Sequence, residues 1–340
     1  MKLIILDTET TGVDAEDRII QLSYLVTDVE GNILEIHNQF CSAPVPIKFD
    51  SMAIHHITPE MLEGKPACVD TEAFRRLNEL NTPENVLIIQ NAEFDEAMLQ
   101  KEGFTSQMKL VDTYRILRKL YPLETPHGLQ HKRYELGLYK KEQALIEELG
   151  VAVRAHDALG DVIVLKLFLD HLLQEQDLHA MMELCSAPIM LDIMTFGKHK
   201  GKTFEEIALS DRNSLQYMID TFDLDTDLRH TMETIMQETK SQIKVTIPFA
   251  KYRGQTPEEV AQIDPGFLVW IRDKADRISP DLKEAVIKAL AHQPQEVLRR
   301  QGRNLGVNRD HEAAPCRVEV HAHEIHLRRR QLFHAEQLLR

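Results

Sequence analysis

The sequence predicts an α/β fold in which a mixed β-sheet is flanked by helices, and three observations support this. Strand-like segments at 2–6, 19–29 and 33–41 follow one another as a meander. Short apolar segments then alternate with helical ones, beginning with a buried strand at 86–90 and a helix at 93–102. A later helix is long and strongly apolar, as expected of a helix that packs against a sheet.

Local signals define the remaining elements of this region. A turn at Glu30-Gly31-Asn32 joins the second and third strands, and a loop with two prolines follows. Thr58-Pro59-Glu60 begins a short helix, because proline is favoured in a first helical turn. The other predicted elements are a strand at 109–111 and helices at 70–80, 112–121, 129–136, 142–149 and 157–174.

An internal repeat lies beyond residue 176. Residues 194–208 match residues 247–261 without a gap, 53 positions later, so that Phe196 pairs with Phe249. A match this regular indicates duplication, and each copy is predicted to be a small α+β module, a short strand or hairpin followed by helices. We therefore predict four segments, which are a first domain at 1–176, modules at 190–240 and 243–292, and a disordered or extraneous tail at 293–340.

The composition describes a soluble globular protein. The 340 residues are 43% hydrophobic and 28% charged, and their formal charge of -14 argues against a protein that coats nucleic acid by bulk attraction. This negative charge is compatible with an enzyme that holds the end of a nucleic-acid chain through local basic groups and metal ions. The four cysteines form no C-x-x-C pair, so a reducing, cytoplasmic location is expected. Charges interrupt the most apolar segment, and no membrane association is expected.

Two carboxylates follow the first strand. Asp7 and Glu9 are two residues apart, and alternate side chains of a strand share a face, so both project into one small volume. Like charges so placed repel and raise each other's pKa unless a cation neutralises them. Oxygen ligands suit hard divalent ions such as Mg²⁺ or Mn²⁺, so the pair predicts a metal site.

Two predicted helix starts supply further groups. Asp95 lies in the first turn of the helix at 93–102. Asp157 is predicted to be an N-cap, which leaves His156 on the preceding loop and Asp161 one turn inside the helix. Asp112 competes with Asp95 for the third carboxylate position, and we assign Asp112 as a helix N-cap instead.

This inventory fits phosphodiester hydrolysis with two divalent ions, Mg²⁺ or Mn²⁺, held by four carboxylates. In that chemistry the cations lie roughly 3.5–4 Å apart and clamp the attacking and leaving oxygens. A histidine side chain ordinarily titrates near neutrality, and His156 is predicted to accept the proton of the attacking water. The predicted metal ligands are Asp7, Glu9, Asp95 and Asp161.

The ordered set Asp7-x-Glu9, Asn91-x-x-x-Asp95 and His156-x-x-x-x-Asp161 resembles the DnaQ-like, or DEDDh, 3′–5′ exonucleases. The resemblance implies a ribonuclease H-like fold for the first domain. It also implies a group of residues that bind the substrate strand. The predicted contacts to the terminal nucleotide are Thr10, Thr11 and His55 (with the adjacent His56 less favoured), and Asn91 is predicted to help hold the strand.

The function implied is a cytoplasmic, magnesium-dependent 3′–5′ exodeoxyribonuclease that releases 5′-mononucleotides during repair or recombination. Its partner is a DNA end, single-stranded or duplex, and no protein partner is identified. One alternative is an exoribonuclease, since the same metal site serves both sugars, and another is a non-catalytic nucleic-acid-binding protein. The basic runs at 115–119 and 131–141 either follow a nucleic-acid backbone or are solvated helix faces. The basic residues and aromatics of the modules either contact single-stranded DNA, or the aromatics simply fill the core of small hairpins.

Overall fold

A computed structural model describes residues 1–124, 126–153, 157–242, 245–275 and 278–291. The predicted base His156 and the predicted tail at 293–340 lie outside the described residues. The chain divides into two compact units, of which one contains residues Met1–Met236 and the other begins at Gln237. Among the helices in these ranges, none is both long and apolar enough to cross a membrane.

A five-stranded mixed sheet lies at the centre of the first unit, in the order β3-β2-β1-β4-β5. β2 is antiparallel to β1 and β3, whereas β4 is parallel to both β1 and β5. This confirms the predicted α/β sheet and gives the strand order of a ribonuclease H-like fold. The strands are β1 (Leu3–Thr10), β2 (Ile19–Thr27), β3 (Ile33–Phe40), β4 (Val86–Ile89) and β5 (Lys109–Asp112).

The helices around this sheet agree with the predicted positions, except that the first and the last of them were not predicted. They are α1 (Phe49–His55), α2 (Glu72–Leu80), α3 (Ala92–Lys101), α4 (Thr113–Leu120), α5 (Leu129–Glu135), α6 (Tyr139–Leu149), α7 (Ala158–Leu172) and α8 (Leu178–Cys185). We did not predict α1 from the sequence, because its N-cap residue Lys48 is not one of the residues that typically cap a helix and makes no side-chain capping hydrogen bond.

The alternation of side chains along β1 decides which groups meet. Leu3 and Ile5 belong to the core beneath α7, whereas Ile4 and Leu6 belong to the core beneath α2 and α3. Asp7 and Glu9 continue the odd-numbered face and therefore point to the side that α7 covers. Thr8 points to the opposite side, where α3 packs.

Asp112 joins the starts of α3 and α4. This fully buried carboxylate caps α4 by accepting from the backbone N–H groups of Tyr114 and Arg115, at 2.9 and 3.3 Å. It also accepts from the N–H groups of Asn91 and Ala92, at 3.0 and 2.9 Å, just before and within the first turn of α3. The predicted N-cap role is therefore confirmed, and the same residue fixes the helix that carries Asp95.

Replacing Asp112 by alanine is expected to destabilise the fold by about 2–3 kcal/mol, because two helix N-termini lose their acceptor. Urea unfolding of the full chain measures the change. Asparagine at this position keeps one acceptor oxygen, so Asp112→Asn is expected to cost clearly less. Equal losses in the two variants would contradict the double-capping role.

The first predicted module continues in the same unit as the sheet. Its helices are α9 (Phe204–Ser210), α10 (Arg212–Thr221) and α11 (Thr226–Glu238). Thr203 and Glu206 form a capping box at the start of α9. Phe204 and Met232 are among the residues of its own hydrophobic core.

The second unit repeats this design. Its helices are α12 (Pro257–Ile263), α13 (Pro265–Lys274) and α14 (Pro280–Ala291). A capping box of Thr256 and Glu259 stands 53 positions after the first one. The pair Lys251–Asp264 likewise repeats Lys198–Asp211, at 2.9 and 2.8 Å.

The modules are helical, so the expected α+β character was wrong. In their described residues, the predicted hairpin is a 3₁₀ turn at Gly197–His199 and again at Ala250–Tyr252, with only an isolated bridge between Ile193 and Thr203. Gly201 and Gly254 adopt left-handed φ values of 84° and 86°, which close a compact loop in place of paired strands. The predicted module boundaries at 190–240 and 243–292 stay a prediction.

The basic face of α4 holds the first module against the sheet domain. Arg115 forms a two-pronged pair with Asp227, with Nε–Oδ2 2.7 Å and Nη2–Oδ1 2.9 Å. Arg118 and Lys119 pair with two further carboxylates of this region, Asp225 at 3.0 Å and Asp192 at 2.7 Å. The interpretation of the run at 115–119 as a solvated face was therefore wrong for Arg115 and Arg118, which are largely buried in these ion pairs, and a contact of this run with nucleic acid stays a prediction.

Candidate active site

Three of the four predicted metal ligands meet at one edge of the sheet. One carboxylate oxygen from each of Asp7, Glu9 and Asp161 lies within 4.8 Å of the other two, and all three residues are half-buried. Asp7 and Glu9 come from the odd-numbered face of β1, and Asp161 comes from the first turn of α7. Three carboxylates so close together repel one another, so the group favours a bound cation.

A long-range contact places Asp161 beside the strand. Gln21 stands opposite Glu9 in the antiparallel pairing of β1 and β2. Its side-chain amide donates to Asp157 Oδ1 at 2.7 Å, and Asp157 in turn caps α7 by accepting from the N–H of Leu159 at 3.0 Å. The predicted cap is confirmed, and because the cap is tied to Gln21, the first turn of α7 lies over the end of β1.

Asp95 reaches the site from the other face of the sheet. Its Oδ1 accepts from the backbone N–H of Thr8 at 3.1 Å and from the Thr8 hydroxyl at 2.6 Å, and the residue is fully buried. Asp95 is not in the group of three, because α3 packs on the side to which Thr8 points. It lies against the backbone between Asp7 and Glu9, and its predicted role as a fourth ligand stays a prediction.

Thr10 and Thr11 shape the loop that follows β1. The Thr10 hydroxyl donates to the Gly12 carbonyl at 2.7 Å, and the Thr11 hydroxyl donates to Asp17 at 2.9 Å. A Cβ on Gly12 would lie 2.4 Å from Asp17, so this loop closes only around glycine. Both hydroxyls are thus engaged within the loop, and their predicted contact with a terminal nucleotide stays a prediction.

His55 is held as a neutral ring. Its Nδ1 accepts from the Ile57 N–H at 2.9 Å, which leaves Nε2 as the protonated nitrogen that donates to the Thr10 carbonyl at 3.2 Å. Burial lowers the pKa of His55 to about 4. The ring lines a cleft of about 230 Å³ together with Asp157 and with Gln21, the residue that pairs with Glu9 in the sheet.

Replacing His55 by glutamine is expected to lower the free energy of unfolding at pH 7, and this loss is expected to be smaller at lower pH. The unfolded chain binds a proton on this histidine below about pH 6.5, whereas the folded protein does so only near pH 4. The stability that the neutral ring contributes is therefore complete above pH 6.5 and is lost as the pH falls toward 4. The pH-dependent part amounts to at most about 3 kcal/mol.

Urea unfolding of the wild type and of His55→Gln at pH 7 and pH 4.5 measures this difference. The difference between the two proteins in free energy of unfolding is expected to be smaller at the lower pH. A gap of the same size at both values would contradict the neutral, buried state of this histidine.

Asn91 stands at the start of α3 in a left-handed conformation, with φ 63°. Its backbone N–H is bound by Asp112, whereas its half-buried side chain makes no capping hydrogen bond. Asn91 therefore lies at the same edge of the sheet as Asp95. Its predicted role in holding the substrate strand stays a prediction.

Two glutamines of the site escaped the sequence analysis. Gln21 interrupts the apolar residues at 19–22 in β2. This polar residue in a buried strand was the sequence signal that could have identified it. Gln130 on α5 donates from its side-chain amide to Asp161 Oδ1 at 2.5 Å. No local pattern distinguishes Gln130 from an ordinary surface glutamine of a helix.

The donor set fits a hard divalent cation. Asp7, Glu9 and Asp161 offer oxygen only, and no cysteine or described histidine belongs to the group. Such a site suits polarisation of a phosphoryl oxygen and activation of a water molecule.

Comparison with known proteins gives a consistent family. Residues 4–167 match the model of the RNase_T family, described as exonuclease. Exodeoxyribonuclease 10 of Escherichia coli K12 is 25% identical over 282 residues, which cover 83% of this chain and 95% of that protein. The DNA polymerase III epsilon subunit of Treponema pallidum is 33% identical over 172 residues, which cover 48% of this chain and 72% of that subunit.

Two solved structures are also similar. Exonuclease X in complex with 5′-overhanging duplex DNA aligns with 54% of this chain and 98% of its own, at 22% identity and a TM-score of 0.39. Exonuclease I of Escherichia coli in complex with a dT13 oligonucleotide aligns with 90% of this chain and 91% of its own, at 14% identity and a TM-score of 0.43.

Proposed function

We propose, from the premise that this chain belongs to the RNase_T exonuclease family, that it is a 3′–5′ exodeoxyribonuclease acting on DNA ends. The products are 5′-mononucleotides, and the biological setting is DNA repair or recombination. The observation that carries the proposal is the group of three carboxylates at the end of β1. A protein that only binds nucleic acid would gain nothing from three mutually repelling anions at that position.

Divalent cations, Mg²⁺ or Mn²⁺ and two per site, would stabilise charge on the scissile phosphate and lower the pKa of the attacking water when bound. Asp7, Glu9 and Asp161 would hold them, with Asp95 as the fourth carboxylate. His156 would accept the proton of the water as its oxygen forms a bond to phosphorus. The bond from phosphorus to the 3′ oxygen of the preceding nucleotide breaks, and that oxygen leaves with a proton from solvent.

The terminal nucleotide would occupy the cleft beside His55. A neutral His55 fixes the Thr10 carbonyl and the loop that follows the first strand, and it adds no positive charge next to the metal ligands. The side chain of Asn91 is available to the preceding part of the strand. These contacts position the 3′ end so that its last phosphodiester lies against the carboxylates.

The test uses single-stranded DNA labelled at either the 3′ or the 5′ end, and a matched RNA oligonucleotide, with magnesium, manganese or a chelator. Rapid release of the 3′ label as a mononucleotide, dependent on the metal and absent in Asp7→Ala, is the expected result. Faster turnover of RNA would make the protein an exoribonuclease. DNA binding without any cleavage in the presence of either metal would overturn the enzymatic assignment.

A further inference from the structure

An exposed pair of tyrosines lies where α5 and α6 meet, with Tyr134 in the last turn of α5 and Tyr139 at the start of α6. Tyr134 and Tyr139 keep 59% and 43% of their surfaces exposed, although their ring centroids are only 5.6 Å apart. Gly137, with φ 67°, allows the tight turn that brings the last turn of α5 next to the first turn of α6. We call Arg133, Tyr134, Tyr139 and Lys140 the tyrosine platform.

Each ring of the platform carries a cation. The Arg133 guanidinium carbon lies 5.1 Å from the ring centroid of Tyr134, and the Lys140 ammonium lies 5.7 Å from that of Tyr139. Arg133 is itself fixed by Glu142, at 2.7 Å, and it donates to the Tyr134 hydroxyl at 3.2 Å. The platform therefore offers ring faces for stacking and positive charge beside them.

A chain of side-chain contacts joins the platform to the carboxylate site. Arg133 Nη1 donates to Gln130 Oε1 at 3.2 Å, and Gln130 Nε2 donates to Asp161 Oδ1 at 2.5 Å. A strand whose 3′ end lies at Asp161 can thus reach the rings of the platform by following α5. Aromatic rings interleaved with cations are the usual surface for single-stranded nucleic acid, because every base offers a ring face and every phosphate a negative charge.

We propose that the tyrosine platform binds the single strand that leads to the active site. This deepens the proposed exonuclease function and rests on it. Tyr134 and Tyr139 stack on bases upstream of the terminal nucleotide, and Lys140 neutralises a phosphate of the same strand. The platform therefore acts on oligonucleotides and has no contact with a substrate of a single nucleotide.

The experiment compares an oligonucleotide with the p-nitrophenyl ester of thymidine 5′-monophosphate in the full chain. In the double variant Tyr134→Ala/Tyr139→Ala, KM for the oligonucleotide is expected to rise about tenfold for each ring, with a much smaller change in kcat. The ratio of oligonucleotide to ester efficiency falls accordingly. The matched control Tyr134→Phe/Tyr139→Phe keeps the rings and is expected to restore KM.

The contribution of charge is measured by Lys140→Ala, with Lys65→Ala as an exposed lysine elsewhere. Only the former is expected to weaken oligonucleotide binding and to reduce its dependence on salt. An equal loss on the oligonucleotide and on the ester would make the platform merely structural and overturn the proposal. A KM for the oligonucleotide that stays at the wild-type value would also overturn it.

The proposed function and the platform can fail separately. If the wild type hydrolyses neither substrate, the exonuclease assignment fails, and the platform is judged by binding of a fluorescent oligonucleotide in chelator. Equal binding by the wild type and by the double alanine variant would then overturn the platform as well. Weaker binding by that variant alone would support it.

Discussion

Asp161→Asn is expected to lower the rate of hydrolysis at least about 10³-fold, which corresponds to roughly 4 kcal/mol of transition-state stabilisation. Asp161 belongs to the group of three carboxylates, whose oxygens lie within 4.8 Å of one another. The variant keeps the shape of the side chain but removes one negative charge from this group, and with it one proposed metal ligand. Release of a 3′ label from single-stranded DNA in magnesium measures the effect.

The melting temperature, measured with and without magnesium, distinguishes loss of a metal ligand from loss of the fold. Without divalent cations, Asp161→Asn is expected to melt no lower than the wild type, because one repelling charge is gone. Magnesium is expected to raise the melting temperature of the wild type far more than that of the variant. Asp170→Asn on the same helix changes a carboxylate that pairs with Lys166, at 2.6 Å, and serves as the matched control. Wild-type activity in Asp161→Asn would contradict its assignment as a ligand.

Asp227→Ala is expected to destabilise the first unit by roughly 3–5 kcal/mol, since removal of one partner from a buried ion pair leaves an uncompensated charge. Asp227 is 2% exposed and Arg115 is 15% exposed. Asp227 also accepts from the Ile189 N–H at 2.9 Å, which the alanine variant leaves without this acceptor. Urea unfolding of the full chain measures the loss.

The matched control for this prediction is Asp192→Ala, at the exposed rim of the same contact surface. Asp192 pairs with Lys119 and is 55% exposed, so its removal is expected to cost no more than about 1 kcal/mol. Similar losses of stability in both variants would contradict a buried docking pair.

The contact of the first module also bears on catalysis, because Glu93 on the first turn of α3 accepts from the Thr226 N–H at 2.9 Å. Through that bond the first module contacts the helix that carries Asp95.

The two modules differ in the residues that make this docking surface. Asp192 of the first copy corresponds to Val245, 53 positions later. The last helices of the two modules align 54 positions apart, because the core residues Leu228, Met232 and Met236 correspond to Leu282, Val286 and Leu290. Asp225 therefore corresponds to Ser279, and Asp227 corresponds to Asp281. The second copy keeps the capping box and the Lys–Asp pair that fold the module. The second copy therefore keeps the residues of the fold and one of these three carboxylates, and it lacks the other two.

Local sequence determined much of this protein. The apolar run that ends in Asp7 and Glu9 identified β1 and the face on which both carboxylates stand, because the alternation of a strand is a local property. Asp157 and Asp112 were identified as caps from their positions before helical segments, since capping depends on residues only a few positions apart.

Only the tertiary structure decided which of these elements meet. The contact of Gln21 with Asp157 joins residues 136 positions apart, and it depends on strand register that no local pattern encodes. The basic run at 115–119 has the composition of a nucleic-acid surface, but folding brings carboxylates of a distant module against it. Asp95 stands apart from the group of three for the same reason, because the face of the sheet on which a helix packs is set by the whole chain and not by the helix.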